Sequence, residues 1–192
     1  MAKKPLGPST SLFPMPALLV AVKTAPQSAN VMTVAWAGIV SGDPPRMALE
    51  IGRNHYSTPF IESEGSFTVN VPRSDMAVPV DYCGLVSGSH DPDKPATCRW
   101  TLLPSTRIAS PLIAECPLNF ECRIERKVEA GAGYFYLVEI LETHADEAIL
   151  DGEGKIDAGR LDPLIFTPDG WYYRLGERVE QAFSAGKALR RA

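Results

Sequence analysis

Along most of this chain apolar positions recur every second residue, in short runs closed by Gly, Pro or Asn, which is the pattern of β-strands. The cleanest run is Leu118–Glu125. Leu118, Phe120, Cys122 and Ile124 point inward by pattern, and Asn119, Glu121, Arg123 and Glu125 outward. Gly131-Ala132-Gly133 turns this run into a hairpin partner, Tyr134–Glu142, and Val128, Tyr136, Val138 and Ile140 extend the same sheet. Ser66–Val71 alternates equally well, with Phe67, Val69 and Val71 against Ser66, Thr68 and Asn70, until Pro72 stops it. Ala17–Thr24 and Val31–Ser41 read as two earlier strands joined through a turn at Pro26. Arg46–Arg53 reads as a half-buried third, and Leu164–Thr167 and Trp171–Arg174 as two short last ones.

The period changes in three places. Tyr56–Glu64 spaces Tyr56, Phe60 and Ile61 like a short helix, and Gly65 ends it. Ser74–Val86 predicts one or two helical turns, interrupted by Pro79 and closed near Gly88, before the turn-rich loop Ser87–Pro95. The tail Glu177–Arg191 has helical spacing at Val179 and Phe183 and basic residues at its end. Residues 1–16, rich in Pro, Ser and Lys, read as an irregular N-terminal arm. No strand–helix–strand repeat is present, so a doubly wound sheet is not expected. The pattern predicts a mainly β protein: one domain over residues 1–192, built as an antiparallel barrel of roughly six or seven strands with a few short helices.

Composition narrows the function classes. A net charge of −4 gives no basic footprint for nucleic acid. The apolar run Ala17–Val22 is too short to span a bilayer, and Pro5, Pro8, Pro14 and Pro16 do not suit a signal segment, so a cytoplasmic location is the default expectation, with no membrane partner. Cys83, Cys98, Cys116 and Cys122 form no Cys-x-x-Cys pair, and His55, His90 and His144 are scattered, which argues against a metal site and for reduced, buried thiols.

Two segments are candidates for ligand chemistry. Asn30–Trp36 places Thr33, Ala35, Ala37 and Gly38 close to one Trp. Either bulky neighbours fill the space across those small residues, or something flat lies against the backbone. Arg53-Asn54-His55-Tyr56-Ser57 leads into the short helix and offers an Arg, a His and a hydroxyl where helix amides are free, a possible anion site. Ser57 reads equally as a helix N-cap, and Arg53 and His55 as surface charge. No Gly-x-x-x-x-Gly-Lys, Gly-x-Gly-x-x-Gly or Gly-x-Ser-x-Gly motif occurs, and no residue set reads as an acid–base pair.

Taken together, Asn30-Val-Met-Thr-Val-Ala-Trp36, Asp43-Pro-Pro45, His55-Tyr-Ser57 with Ile61, and Phe67-Thr-Val-Asn-Val-Pro72 resemble the flavin reductase-like, FMN-binding split-barrel proteins. Asp81-Tyr-Cys-Gly84 with Ser87-Gly88, and Gln181-Ala-Phe-Ser-Ala-Gly-Lys187, bring the chain closer to the flavoredoxin branch. The match runs from about Leu12 to Lys187. The resemblance implies a six-stranded split barrel, a homodimer and non-covalent FMN near the dimer interface. It implies that Asn30, Met32, Thr33, Ala35 and Trp36 border the flavin ring and ribityl chain. Arg53, His55, Tyr56 and Ser57 would then hold ribityl and phosphate, with Ser87 a further candidate.

In the hairpin this chain has Gly131-Ala132-Gly133 where relatives often carry Gly-Asp-His, and Val138 where they carry Gly. The missing His lies on the side where nicotinamide approaches, so NAD(P)H as electron donor is in question and a redox protein is the other expected partner. The activity implied is FMN-dependent transfer of hydride or electrons. The alternatives are a flavoredoxin-like electron carrier without its own substrate, and a split-barrel binding protein without flavin.

Overall fold

The computed structural model describes residues 1–189, and twelve strands carry its architecture. Seven of them form one antiparallel sheet: β2 (Leu18–Ala25), β3 (Ser28–Val34), β4 (Ala37–Gly42), β5 (Pro45–Gly52), β6 (Ser66–Val71), β9 (Leu118–Ala130) and β10 (Gly133–Ala145). Their order across the sheet is β3-β2-β6-β9-β10-β5-β4. The two edge strands, β3 and β4, are consecutive in the chain. The sheet therefore curls until its edges meet at Ala35-Trp36, where the Glu50 amide donates to the Trp36 carbonyl at 2.9 Å. The expected mainly β split barrel is the observed fold.

Val31–Ser41 is thus two strands and not one. Ala35 and Trp36 leave the ladder in a tight turn, with the Ala37 amide bonded to the Ala35 carbonyl at 3.0 Å, because one continuous strand could not serve both edges. The hairpin β9–β10 is longer than its alternating core, thirteen residues a side. Its register shifts at Leu137/Val138 and Ile140/Glu142, which adds the bend a closed sheet needs. Gly131, at φ 56°, makes its turn.

The barrel interior collects Val20, Val22, Leu49, Ile51, Phe67, Val69, Cys122, Tyr136 and Val138, all essentially inaccessible. Val138, which stands where relatives often carry Gly, therefore fills the core. The opposite face of β2, β6 and β9 is buried as well. There α2 (Ala77–Leu85), Trp100, Ile113, Cys116 and Leu164 cover Ala17, Leu19, Ala21 and Val31. The covering segment includes the short hairpin β7 (Leu102–Leu103) and β8 (Leu112–Ile113).

That second layer overturns the outward assignment of Asn119 and Glu121, which are 7% and 0% exposed. Polar residues can be buried when every group is bonded. Asn119 donates to Asn70 Oδ1 at 2.8 Å and to the Ile113 carbonyl at 3.1 Å. Glu121 accepts the amides of Thr106, Arg107 and Ile108, the Thr106 hydroxyl and a ring nitrogen of His144. A single carboxylate thereby fastens the Thr106–Ile108 part of the covering loop to the barrel.

The helices are short. α1 (Thr58–Glu64) begins with Pro59 in its first turn and ends at Gly65, φ 62°, whose amide bonds back to the Ile61 carbonyl. In α2, Pro79 lies within the first turn, where no amide partner is lost, so it does not interrupt the helix as expected. α3 (Lys94–Thr97) and α4 (Ala158–Leu161) are single turns. The N-terminal arm is irregular up to β1 (Met15–Pro16), which joins β11 (Ile165–Thr167) and β12 (Trp171–Tyr173) in a small second sheet. The tail is not the helix its spacing suggested. It runs without regular structure past Arg174 to a 3-10 turn at Ala185–Leu189, because Val179 and Phe183 find no apolar surface to bury against. Arg190 and Arg191 lie outside the described residues.

Candidate functional site

A polar cleft opens where β3, the start of α1 and the C-terminal end of α2 converge, with a cavity volume of about 180 Å³. β3 supplies Asn30, Met32 and Thr33, and the segment before α1 supplies Asn54, His55, Tyr56 and Ser57. The far wall is the end of α2 with the loop after it, from Cys83 to Gly88, and Lys94 closes it from behind. α2 sits against β3 because the Thr33 hydroxyl donates to the Val80 carbonyl and Gly84 leaves room for the Thr33 side chain.

Asn30 is the most informative residue of the wall. It is 3% exposed, and its Nδ2 donates to Ser57 Oγ at 2.6 Å, tying β3 to the start of α1. Its Oδ1 has no partner among the described residues. A buried acceptor left unpaired costs about 1–3 kcal/mol, which a ligand donor in the cleft would recover. Ser57 occupies the N-cap position without making a capping bond, so its hydroxyl serves the cleft and not the helix. Gly88 passes against both side chains: a Cβ there would overlap Asn30 Oδ1 and come within 2.7 Å of Tyr56 Cε1. Only glycine lets the loop close on the cleft at that point.

Lys94 carries the electrostatics. It is 1% exposed, and its ammonium donates to the carbonyls of Val86 at 2.8 Å and Cys83 at 3.4 Å, with no carboxylate in salt-bridge contact. Burial pushes its pKa below the ordinary lysine value, while the thiols of Cys83 and Cys98 are pushed up, chiefly by burial, and do not offset its charge. No Asp or Glu lines the cleft and Lys94 is its one Lys or Arg. A buried cation in a polar, acid-free wall suits an anionic group such as a phosphate.

His55 links this cleft to an adjoining open chamber of about 220 Å³ lined by Thr33, Val34, Ala35, Trp36 and Glu50. The His55 ring lies against Gly52, whose missing side chain gives it room. The candidates thus divide. Asn30, Met32, Thr33, His55, Tyr56, Ser57 and Ser87 meet in the cleft, while Ala35 and Trp36 border the adjoining chamber. Arg53 is brought to neither. Its guanidinium stacks 5.1 Å over the Tyr134 ring and faces Glu129 at 3.8 Å. Within the candidate segment Asn54 was given no role, and sequence reasoning missed Lys94 altogether, which sits in a turn-rich stretch where nothing local signals burial.

Among the described residues no cluster of side chains could hold a metal, and no helix is long and apolar enough to cross a membrane. What the fold and cleft define is a split barrel with a polar, cation-backed cleft against its edge strand β3. The chain belongs to the flavin reductase like domain family, whose model matches residues 10–173. Its fold superposes on the flavoredoxin of Desulfovibrio vulgaris (Miyazaki F) with a TM-score of 0.90 and 33% identity, over 96% of this chain and all of that one. The flavoredoxin from Methanosarcina acetivorans gives 0.89 and 33%, over 98% and 100%. An uncharacterized protein of Archaeoglobus fulgidus is 31% identical over 146 residues, 76% of this chain and 81% of its own.

Proposed function

We propose that the cleft binds FMN non-covalently and that the protein is an oxidoreductase passing hydride or electrons through it. The observation that carries this reading is the pairing of a buried, carboxylate-free Lys94 ammonium with the unpartnered Asn30 Oδ1 in one acid-free cleft. Bound FMN would supply the redox chemistry, and the protein binding, orientation and polarity. Lys94, Ser57 and Asn54 would take the anionic end of the cofactor, while Asn30, Met32 and Thr33 would meet its polar edges and apolar faces. His55, shared by both cavities, would sit at the boundary between cofactor and reaction partner. No residue of the site is needed as an acid or base for this role.

The likeness to two flavoredoxins favours the carrier version of the activity, in which the electron donor is another redox protein. Gly133 supports the same choice, since it offers nothing to pack on a nicotinamide and hydride transfer tolerates loose positioning poorly. Exposed Trp36, Ile39, Val40 and Phe135 on β4, β10 and the edge junction give the barrel an apolar surface suited to a second copy of the chain.

The test has two parts. Purified protein should be yellow or take up FMN with quenched fluorescence, and a colourless protein that ignores FMN would leave only a flavin-free binding role. Anaerobic stopped-flow with NADH, NADPH and a reduced ferredoxin should then show slow, unsaturable reduction by the nicotinamides and faster reduction by the protein donor. Fast, saturable bleaching by either nicotinamide would refute the carrier version.

A further inference from the structure

Two thiols beside the cleft are left without a role by the flavin reading. Cys83 lies in the last turn of α2, buried, and belongs to the cleft wall. Cys98 follows α3 and is half-buried, so it is the more accessible of the two. Their sulfurs are 3.8 Å apart, and among the described residues no other two thiols touch. Cys116 and Cys122 are buried singly, one in each core layer. The pair brackets residues 84–97, which carry the far wall as far as Gly88 and also Lys94, whose ammonium donates to the Cys83 carbonyl. The chain neighbours of the two cysteines are fastened together as well. Tyr82 and Thr97 each donate a hydroxyl to the same oxygen of Asp91, at 2.9 and 2.8 Å, so the two ends of the segment are already drawn into one place.

Burial raises the pKa of both thiols, so neither is a general nucleophile and the pair rests reduced. What sets them apart is proximity, since a bond requires the sulfurs only to close from contact to about 2.05 Å. We propose that Cys83 and Cys98 are a site of reversible oxidation, a dithiol clasp on the cleft that a hydroperoxide closes and a dithiol reductant reopens. The hydroperoxide gives one oxygen to the Cys98 sulfur, which becomes a sulfenic acid as the O–O bond breaks and water or an alcohol leaves. The Cys83 sulfur then displaces that hydroxyl, which departs as water with the Cys83 proton while the S–S bond forms. Two thiols thus lose two electrons and two protons, and the hydroperoxide takes them up. The closed clasp ties both ends of the segment that holds Gly88 and Lys94, so the cleft releases its ligand more slowly. That last consequence rests on the FMN reading, whereas formation of the disulfide does not.

Flavin-free protein is treated with a small excess of hydrogen peroxide, then denatured for thiol counting and peptide mass mapping. Free thiols should fall from four to two, with the peptides of Cys83 and Cys98 joined and lighter by two hydrogens. The melting midpoint should rise by about 4–10 °C, as a cross-link over a loop of this length implies, and return with dithiothreitol. Cys98→Ser should form no cross-link and show no rise under the same treatment. FMN-loaded protein, followed by recovery of flavin fluorescence on dilution, should release FMN at least about threefold more slowly once oxidised, and C98S should not change. Four thiols after treatment, or oxidation of Cys98 without a cross-link, overturns the proposal. A cross-link that leaves the midpoint or the release of FMN unchanged overturns it too. Failure of the untreated protein to bind FMN would refute the cofactor reading alone, because thiol count and midpoint on flavin-free protein still decide the clasp.

Discussion

Replacing Lys94 with Met keeps the length of the side chain and removes its charge, and so isolates the electrostatic basis of the cleft. The ammonium is 1% exposed and rests on two backbone carbonyls, without a carboxylate. In the free protein it is a cost, since an ion taken from water is compensated here only by neutral dipoles. K94M removes that cost and leaves the Val86 and Cys83 carbonyls without a donor, at about 1–3 kcal/mol each. The two effects oppose, so the free protein should melt close to the wild type or above it.

With FMN the sign reverses. Loss of a charge-assisted bond to phosphate is worth about 1.5–3 kcal/mol, or a ten- to hundredfold weaker dissociation constant. At fixed excess FMN the ligand-induced stabilisation falls by the same free energy, about 3–10 °C in midpoint for a chain of this size. Thermal unfolding with and without FMN, beside a fluorescence titration, measures both. A variant that is strongly destabilised when free, or that binds FMN within about twofold of the wild type, would refute the reasoning. The titration of Lys94 gives a second sign: because burial holds its pKa down, the free protein should gain stability as pH rises through the lowered value toward the ordinary lysine range.

Gly88→Ala should weaken FMN binding at least about tenfold, since its Cβ must displace Asn30 Oδ1 or Tyr56, and unchanged affinity in a titration would contradict that close approach. Acid should release the loop held by Glu121. Burial alone would raise this carboxyl, but the Thr106 amide, His144, the Arg107 amide and the Thr106 hydroxyl outweigh it and lower its pKa to about 2. The group is ionised more readily when folded, so its contribution, on the order of 3 kcal/mol, is present above the ordinary glutamate range and lost as pH falls toward 2. Glu121→Gln should flatten that acid limb in denaturant titrations, and an unchanged limb would remove Glu121 from the account. Light scattering should report about twice the 20.9 kDa chain mass, and a monomer that still holds FMN would exclude the dimer.

Local pattern was enough for the strands. Alternation in Ser66–Val71 and Leu118–Glu125, the Gly131-Ala132 turn and the Gly65 stop each express a preference of a few neighbouring residues, so they could be read from the chain alone, as could the antiparallel barrel they imply. Pattern alone left the Asn30–Trp36 and Arg53–Ser57 segments open between ordinary structure and a ligand site, and the family resemblance is what singled out Asn30 and His55–Ser57, which the structure gathers in the cleft. What lay beyond the sequence depends on contacts between distant segments. Asn119 and Glu121 alternate like solvent-facing residues, yet the segment around residues 100–117 folds back and gives their polar groups partners, which reverses the assignment. The break at Ala35-Trp36 exists because two edges of a curled sheet must meet there. Arg53 and Lys94 look interchangeable as surface cations. Tertiary packing places one on the hairpin beside Glu129 and buries the other behind the cleft, because the carbonyls that end α2 are oriented to receive an ammonium only after the loop has closed over them.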